Sequence, residues 1–418
     1  MERKRLQRDR ISELPADILD KILSFLPIQE AARMAVLSTF WRDIWFSLTE
    51  LDFGWWFFVH IRKKHFHAHS DIRTQNIQDE TKNSNIWIFA GLYVVNKVLI
   101  QHNGLIRKFV FNFDFLNRSF STKTLRSRSF DFDQWLLFVT RKGVEEIHFS
   151  LMPEDEYTLP NCIFSCPTLR RLDVCGVSIG PISDPCILPN VTSLCFKNVD
   201  FNPRDHLVDV PMLENLSFEI CYNLHDFNFT AQKLHSLRID SCPFYQLPFN
   251  LDLRSIRTLD LDCSSMQGFV NGFTGRGLQQ PLELDVEYLM LSTEDYHDHV
   301  EDVYSAFIHL LRICPKLCKL DIDLSFSHVM PKLTDEFQTV TQRHTMLHTL
   351  KLDSYIGSVH DLIFIKRLLA CFPALEKVFI VHEDTWDYEE FFESNKEELL
   401  HSQCASAKAE IVMYNYNY

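Results

Sequence analysis

Residue types able to do chemistry are present in the chain, but they are scattered. His65, His67 and His69 alternate. On an extended strand they would share one face, and alternating imidazoles are a donor set for a transition metal. Lys63 and Lys64 stand beside them, and no carboxylate follows until Asp71. A solvated basic linker is therefore the expectation, with no metal. Gly272, Gly275 and Gly277 cluster, yet no Lys-Ser/Thr follows to complete a phosphate cradle. They read as a turn between repeating units. The run from Glu383 to Glu398 is rich in paired carboxylates, and such a run reads as a solvated acidic helix or loop. Cys195 and Cys318 are nucleophiles by residue type, but neither has an identifiable base. No catalytic constellation emerges, and no cofactor is called for.

The twelve cysteines all lie from Cys162 onward and form no C-x-x-C pair. They fall on apolar positions of repeating segments, so the expectation is buried free thiols. Net charge is −14. That excludes a general nucleic-acid binder, whose footprint is basic. Hydrophobic content of 46% with 23% charged residues is that of a globular chain with a sizeable core. The first ten residues, MERKRLQRDR, contain no apolar segment of a secretion signal. The apolar run from Trp55 to Val59 is too short to span a bilayer. No membrane association is expected, and the expected location is nucleus and/or cytoplasm, with residues 1–10 a basic disordered N-terminus.

Two kinds of element must position whatever function the chain has. The first is the stretch from Ile11 to Leu51. Ile18, Leu19, Ile22, Leu23 and Leu26 recur at helical spacing. Pro15 suits a helix start, and Leu26-Pro27 ends that helix. A second helix fits Gln29 to Leu37. Ser38 is an N-cap candidate for a third, with Phe40, Trp41, Ile44, Trp45 and Leu48 on one face. So small a unit cannot bury all this apolar surface within itself, so some of it should face a partner.

The second element is a repeat. One template, apolar-x-x-apolar-x-apolar, starts at Leu169, Val191, Leu213, Leu234, Ile256, Val286, Leu317, Leu347 and Leu375. A copy at Val144 and a weaker one at Ile106 precede these. Successive steps are 22, 22, 21 and 22 residues, then 30, 31, 30 and 28. This is the period of a leucine-rich-repeat solenoid, in which stacked short strands share one core. The longer repeats have room for helices, at Tyr304–Ile313 and Asp361–Cys371. Pro167, Pro189, Pro211, Pro315 and Pro373 stand two residues before their templates, where a missing donor is harmless.

Variable strand positions should line the concave face. Lys197, Glu219, Asp240, Asp262, Ser292, Asp323 and Asp353 would form one column. Asp173, Arg238, Asp260, Met290, Asp321 and Lys351 would form the next, at roughly 4.8 Å per strand. The expectation is a mostly acidic surface that attracts a basic segment of a target. The candidate target-binding residues are Glu219, Arg238, Asp240, Asp260, Asp262, Asp321, Asp323 and Asp353. The alternative is internal neutralisation by Arg238, Arg257, Lys319 and Lys351.

The string Leu14-Pro15-x-Asp17-Ile18-Leu19-x-x-Ile22-Leu23-x-x-Leu26-Pro27, followed by Val36-Leu37-Ser38-x-x-Trp41-Arg42-x-x-Trp45, resembles an F-box. Cys166-Pro167-x-Leu169-x-x-Leu172, repeated at Cys314-Pro315-x-Leu317-x-x-Leu320, resembles plant F-box proteins with leucine-rich repeats, as does Trp135 to Ile147. Leu347 to Ile380 is similar to the FBD module of those proteins. The resemblance implies an α/β chain: an N-terminal three-helix F-box followed by a leucine-rich-repeat solenoid, a curved parallel sheet with helices or turns on its convex side. Its implied parts are the F-box at 11–51, a linker or helical transition at 52–104, repeats at 105–345, FBD-like terminal repeats at 346–395 and a tail or last strand at 396–418.

The resemblance also implies a non-catalytic substrate receptor of a Skp–cullin–F-box ubiquitin ligase. Leu14, Pro15, Ile18, Leu19, Ile22, Leu23, Leu26, Pro27, Val36, Leu37 and Trp41 would hold a Skp-family adaptor, and through it a cullin-RING ligase. The repeats would hold a target protein. Two other readings stay open at this point: an interaction scaffold outside any ligase, or a sensor binding a small molecule on the concave face.

Overall fold

A computed structural model describes residues 11–69, 86–113, 128–152, 157–182, 186–202, 207–224, 228–242, 251–274, 283–292, 300–324, 335–382, 398–400, 402 and 404–415. The basic N-terminus, Gly275 and Gly277, and nearly all of the acidic run lie outside these residues. The chain divides into two compact units, Met1–Asp209 and Val210–Tyr418.

The first unit opens with three short helices, α1 (Ala16–Ser24), α2 (Ile28–Met34) and α3 (Thr39–Phe46). Pro15 and Pro27 stand immediately before α1 and α2, and Ser38 caps α3 by accepting the Trp41 N–H at 3.3 Å. A strand follows at once, β1 (Glu50–Phe53), then two longer helices, α4 (Trp55–His69) and α5 (Ile86–Gln101). The histidine run is thus helical, where the sequence reads as a solvated basic linker. Next come β2 (Lys108–Asn112), α6 (Ser129–Arg141), β3 (Glu146–Ser150), β4 (Arg171–Cys175) and β5 (Ser193–Lys197). Neighbours from β1 to β5 pair in parallel, in chain order and without register slips.

Residues 52–104 pack onto the first strands. Phe58 lies edge-on to Phe111 at 5.7 Å and to Phe113 at 5.0 Å between ring centroids. Gly91 of α5 is a glycine by necessity, because a Cβ there would sit 2.8 Å from the Phe58 ring. The Trp135 indole N–H of α6 donates to Asn96 of α5 at 2.6 Å. Phe57 and Phe58 are buried. Trp55 and Trp56 are not, at 46% and 71% exposed.

The second unit continues the pattern with β6 (Asn215–Glu219), β7 (Ser236–Asp240), β8 (Thr258–Asp262), β9 (Tyr288–Ser292), β10 (Lys319–Asp323), β11 (Thr349–Tyr355), β12 (Lys377–His382) and β13 (Glu410–Asn415). All neighbours pair in parallel. The longer repeats hold α7 (Cys263–Thr274), α8 (Val300–Ile313), α9 (Asp335–Thr341) and α10 (Val359–Cys371). Phe307, Leu310 and Leu311 of α8 are buried, and Ser358 with Asp361 forms a reciprocal cap on α10.

Two backbone devices repeat. In many repeats the carbonyl just before the strand accepts two N–H groups from the next repeat, as Arg107 does from Glu145 and Glu146 at 2.8 Å, and Arg257 from Glu287 and Tyr288 at 2.9 Å. Seven residues after the template start, the chain turns left-handed at Gly176 (φ 68°), Asn198 (51°), Ile220 (52°), Ser241 (51°) and Ser354 (58°). At Gly176 and Ile220 the turn aims the N–H at the carbonyl ending the next strand, Lys197 at 3.0 Å and Asp240 at 2.8 Å.

Candidate functional site

The helical start sorts its apolar residues into two faces. Leu19, Leu23, Ile28, Ala31, Trp41, Ile44, Trp45 and Leu48 are buried and hold the small bundle together. Leu14, Pro15, Ile18, Ile22, Leu26, Pro27, Val36 and Leu37 are exposed. Val36 and Leu37 are 86% and 67% accessible. Of the eleven residues expected to hold an adaptor, these eight form the surface, while Leu19, Leu23 and Trp41 stand behind it as support. Phe25, 77% exposed, belongs with the surface and was not anticipated. It lies one helical step beyond Ile18 and Ile22, a spacing that could have found it. An apolar surface of this kind on water costs free energy that a partner recovers.

This face is held rigidly against the first strands. The Asp20 carboxylate accepts from the Thr49 N–H at 2.9 Å and the Thr49 hydroxyl at 2.5 Å. The Asn103 N–H donates to the Phe46 carbonyl at 2.9 Å, and the Arg107 N–H to the Thr49 carbonyl at 2.7 Å. The buried His102 ring meets the Leu48 carbonyl at 2.8 Å. Burial lowers the His102 pKa below 6.5, against a smaller upward push from that carbonyl. Gly104 lies so close to Ser47 that a Cβ would meet its backbone at 2.9 Å.

The candidate target surface lies on the strands of the second unit. Register places Glu219 beside Asp240, Arg238 beside Asp260, Asp260 beside Met290, Met290 beside Asp321, Asp321 beside Lys351, and Asp323 beside Asp353. The columns exist, but they are less open than the sequence suggests. Arg238 binds Asp240 at 2.8 Å and reaches Asp260 at 3.5 Å. Lys319 binds Asp321 at 3.3 Å, and the Tyr288 hydroxyl donates a short bond to the same oxygen. Lys351 binds Asp353 at 2.7 Å. Asp262 is consumed structurally: it accepts the Ser264 and Ser265 N–H groups at 2.9 and 3.1 Å, capping the start of α7. Ser354 donates to Asp323 at 3.1 Å. Of the four cations expected to neutralise the columns, Arg238, Lys319 and Lys351 do so, whereas Arg257 pairs with Glu287 at 3.3 Å.

The cysteines are free, and seven are buried. Burial pushes the Cys263 and Cys314 thiols up to about 12 and raises Cys318 as well, so the reactive thiolate is disfavoured. Among the described residues, no group of His, Cys, Asp and Glu could hold a metal, and no helix is long and apolar enough to cross a membrane.

Residues 11–51 match the F-box domain. Residues 132–249 match the family described as "FBD-associated F-box protein At5g56370, LRR repeats". Among curated relatives, the F-box/FBD/LRR-repeat protein At1g13570 of Arabidopsis thaliana is 32% identical over 41% of this chain and 34% of its own length. The F-box/LRR-repeat protein At3g59200 of the same plant is 30% identical over 50% of this chain and 36% of its own length. A longer match, 24% identical, joins 84% of this chain to 81% of the Arabidopsis F-box/LRR-repeat protein At3g60040. The first two matches thus span about a third of those relatives. Helical start, parallel repeats and both matches agree: the chain carries an F-box match followed by repeats similar to those of FBD-associated F-box proteins.

Proposed function

We propose that this chain is the substrate-recognition subunit of a Skp–cullin–F-box ubiquitin ligase. The observation that carries the reading is the sorting of F-box residues. Leu14, Pro15, Ile18, Ile22, Leu26, Val36 and Leu37 face solvent, while Leu19, Leu23 and Trp41 fix them from behind. A Skp-family adaptor covers this face and links the chain to a cullin-RING ligase. The repeats hold a target protein. The chain contributes proximity, raising the effective concentration of target lysines near a conjugating enzyme held elsewhere in the complex. No covalent step belongs to it. Residues 346–395 serve as FBD-like terminal repeats, and the complex works in nucleus and/or cytoplasm.

The tie between α1 and β1 fixes the adaptor face to the first strands of its own unit. A pull-down of a Skp-family adaptor with wild type and with Leu14→Ala/Pro15→Ala tests the reading. Capture by wild type and loss in the variant supports it. Failure of wild type to capture the adaptor overturns it.

A further inference from the structure

On the sheet of the second unit, one column reads Arg238, Asp260, Met290, Asp321, Lys351 across five successive parallel strands. Its charges run positive, negative, neutral, negative, positive. Met290 is half-buried and separates the two carboxylates by two strand steps, roughly 10 Å. That gap accepts one cationic head with about 5 Å to either side, and the Met290 thioether is a soft apolar bed for an aliphatic stem.

Two further observations show that the carboxylates are under-compensated. Seven of them, Glu219, Asp240, Asp260, Asp262, Asp321, Asp323 and Asp353, occupy this stretch of strand positions against three cations, Arg238, Lys319 and Lys351. Asp321 is 7% exposed, and its Oδ1 has no hydrogen-bond partner, although Lys319 and Tyr288 crowd Oδ2. An unpartnered buried carboxylate oxygen is costly. Asp260 agrees: its carboxyl is raised by desolvation, Arg238 only partly offsets this, and Asp240, Asp262 and Asp321 raise it further.

We propose that Met290, flanked by Asp260 and Asp321, is the seat of a lysine or arginine side chain presented by the target protein. The stem lies on Met290 and the charged head bridges the two carboxylates. Arg238 and Lys351, at the flanks, restrict the site to a single basic residue rather than a long basic run. This rests on the reading of the repeats as target-binding, and it names the chemistry they select.

The test is fluorescence polarisation with the full chain and a labelled dodecapeptide of serine and glycine carrying one central lysine, against its counterpart with glutamate in place of that lysine. It needs no adaptor, so its failure leaves adaptor docking standing, and loss of adaptor docking leaves it standing. The lysine peptide binds and the glutamate peptide does not. Asp260→Asn, nearly isosteric, and Met290→Lys each weaken binding more than tenfold. Glu283→Gln, which removes an equal charge from an exposed site outside the column, changes it less than twofold. Absence of lysine-peptide binding, or equal losses in all three variants, overturns the proposal.

Discussion

The Asp20 carboxylate of the first F-box helix takes both donors of Thr49, the N–H at 2.9 Å and the hydroxyl at 2.5 Å. Thr49 in turn leads into the first strand, and its carbonyl accepts from Arg107 and Lys108. One carboxylate therefore links α1 to the start of the parallel ladder. Asp20→Ala leaves both Thr49 donors to water. Hydrogen bonds to a charged group are worth about 1.5–3 kcal/mol, and partial exposure places this pair at the low end. The expected outcome is a lower urea midpoint with unchanged m-value.

The left-handed positions give a pair of opposite effects. At Gly176 a Cβ would stand 2.1 Å from the Leu151 carbonyl oxygen. Gly176→Ala should therefore lower the melting temperature severely or prevent folding. Ile220 adopts a φ of 52° despite its branched Cβ. A left-handed non-glycine residue costs about 1–2 kcal/mol. Part of that gain is lost to the greater freedom of glycine in the unfolded chain. Ile220→Gly is expected to be neutral or stabilising by up to about 1 kcal/mol, read by denaturant titration.

Two neighbours on α1 should behave differently. Leu23 is 1% exposed and Ile22 is 40% exposed. Leu23→Ala should cost about 2–5 kcal/mol by leaving a cavity. Ile22→Ala should cost about 1 kcal/mol or less. Equal losses in chemical denaturation would show that the two faces are not sorted as described.

His102 gives the junction a pH dependence. Its folded pKa is lowered from 6.5, chiefly by burial. Above 6.5 the ring is neutral in both states. Below it the unfolded chain takes up a proton that the folded chain does not, so stability falls with acidification until the lowered folded pKa is reached. His344 and His309 shift the same way through burial. Thermal melts from pH 7.5 to 5.5 should show a declining midpoint, with a shallower decline in His102→Gln.

The repeats were legible because alternation survives substitution. All eleven templates, from Ile106 to Leu375, become strands whose apolar positions point inward. The strand at Glu50–Phe53 was not legible, since four residues after a helix carry too short a pattern. The histidine run reads as a basic linker in the sequence, yet it continues a helix begun at Trp55. Tertiary packing of Phe57 and Phe58 against the sheet decides that segment. The acidic columns were legible in register and only partly in pairing. Whether Lys319 reaches Asp321, or Asp262 turns to cap α7, depends on side-chain torsions and loop geometry that spacing does not encode. The F-box surface was legible as a stripe, but its division into contact and support required burial.

The central claim is that the exposed F-box face captures a Skp-family adaptor. Calorimetric titration of a purified adaptor into the full chain tests it most directly, comparing wild type with Ile22→Lys and Val36→Lys. Both positions are exposed, so the variants should melt with wild type. The account predicts measurable affinity for wild type and a loss of more than tenfold in each variant. Binding unchanged by both substitutions would contradict it.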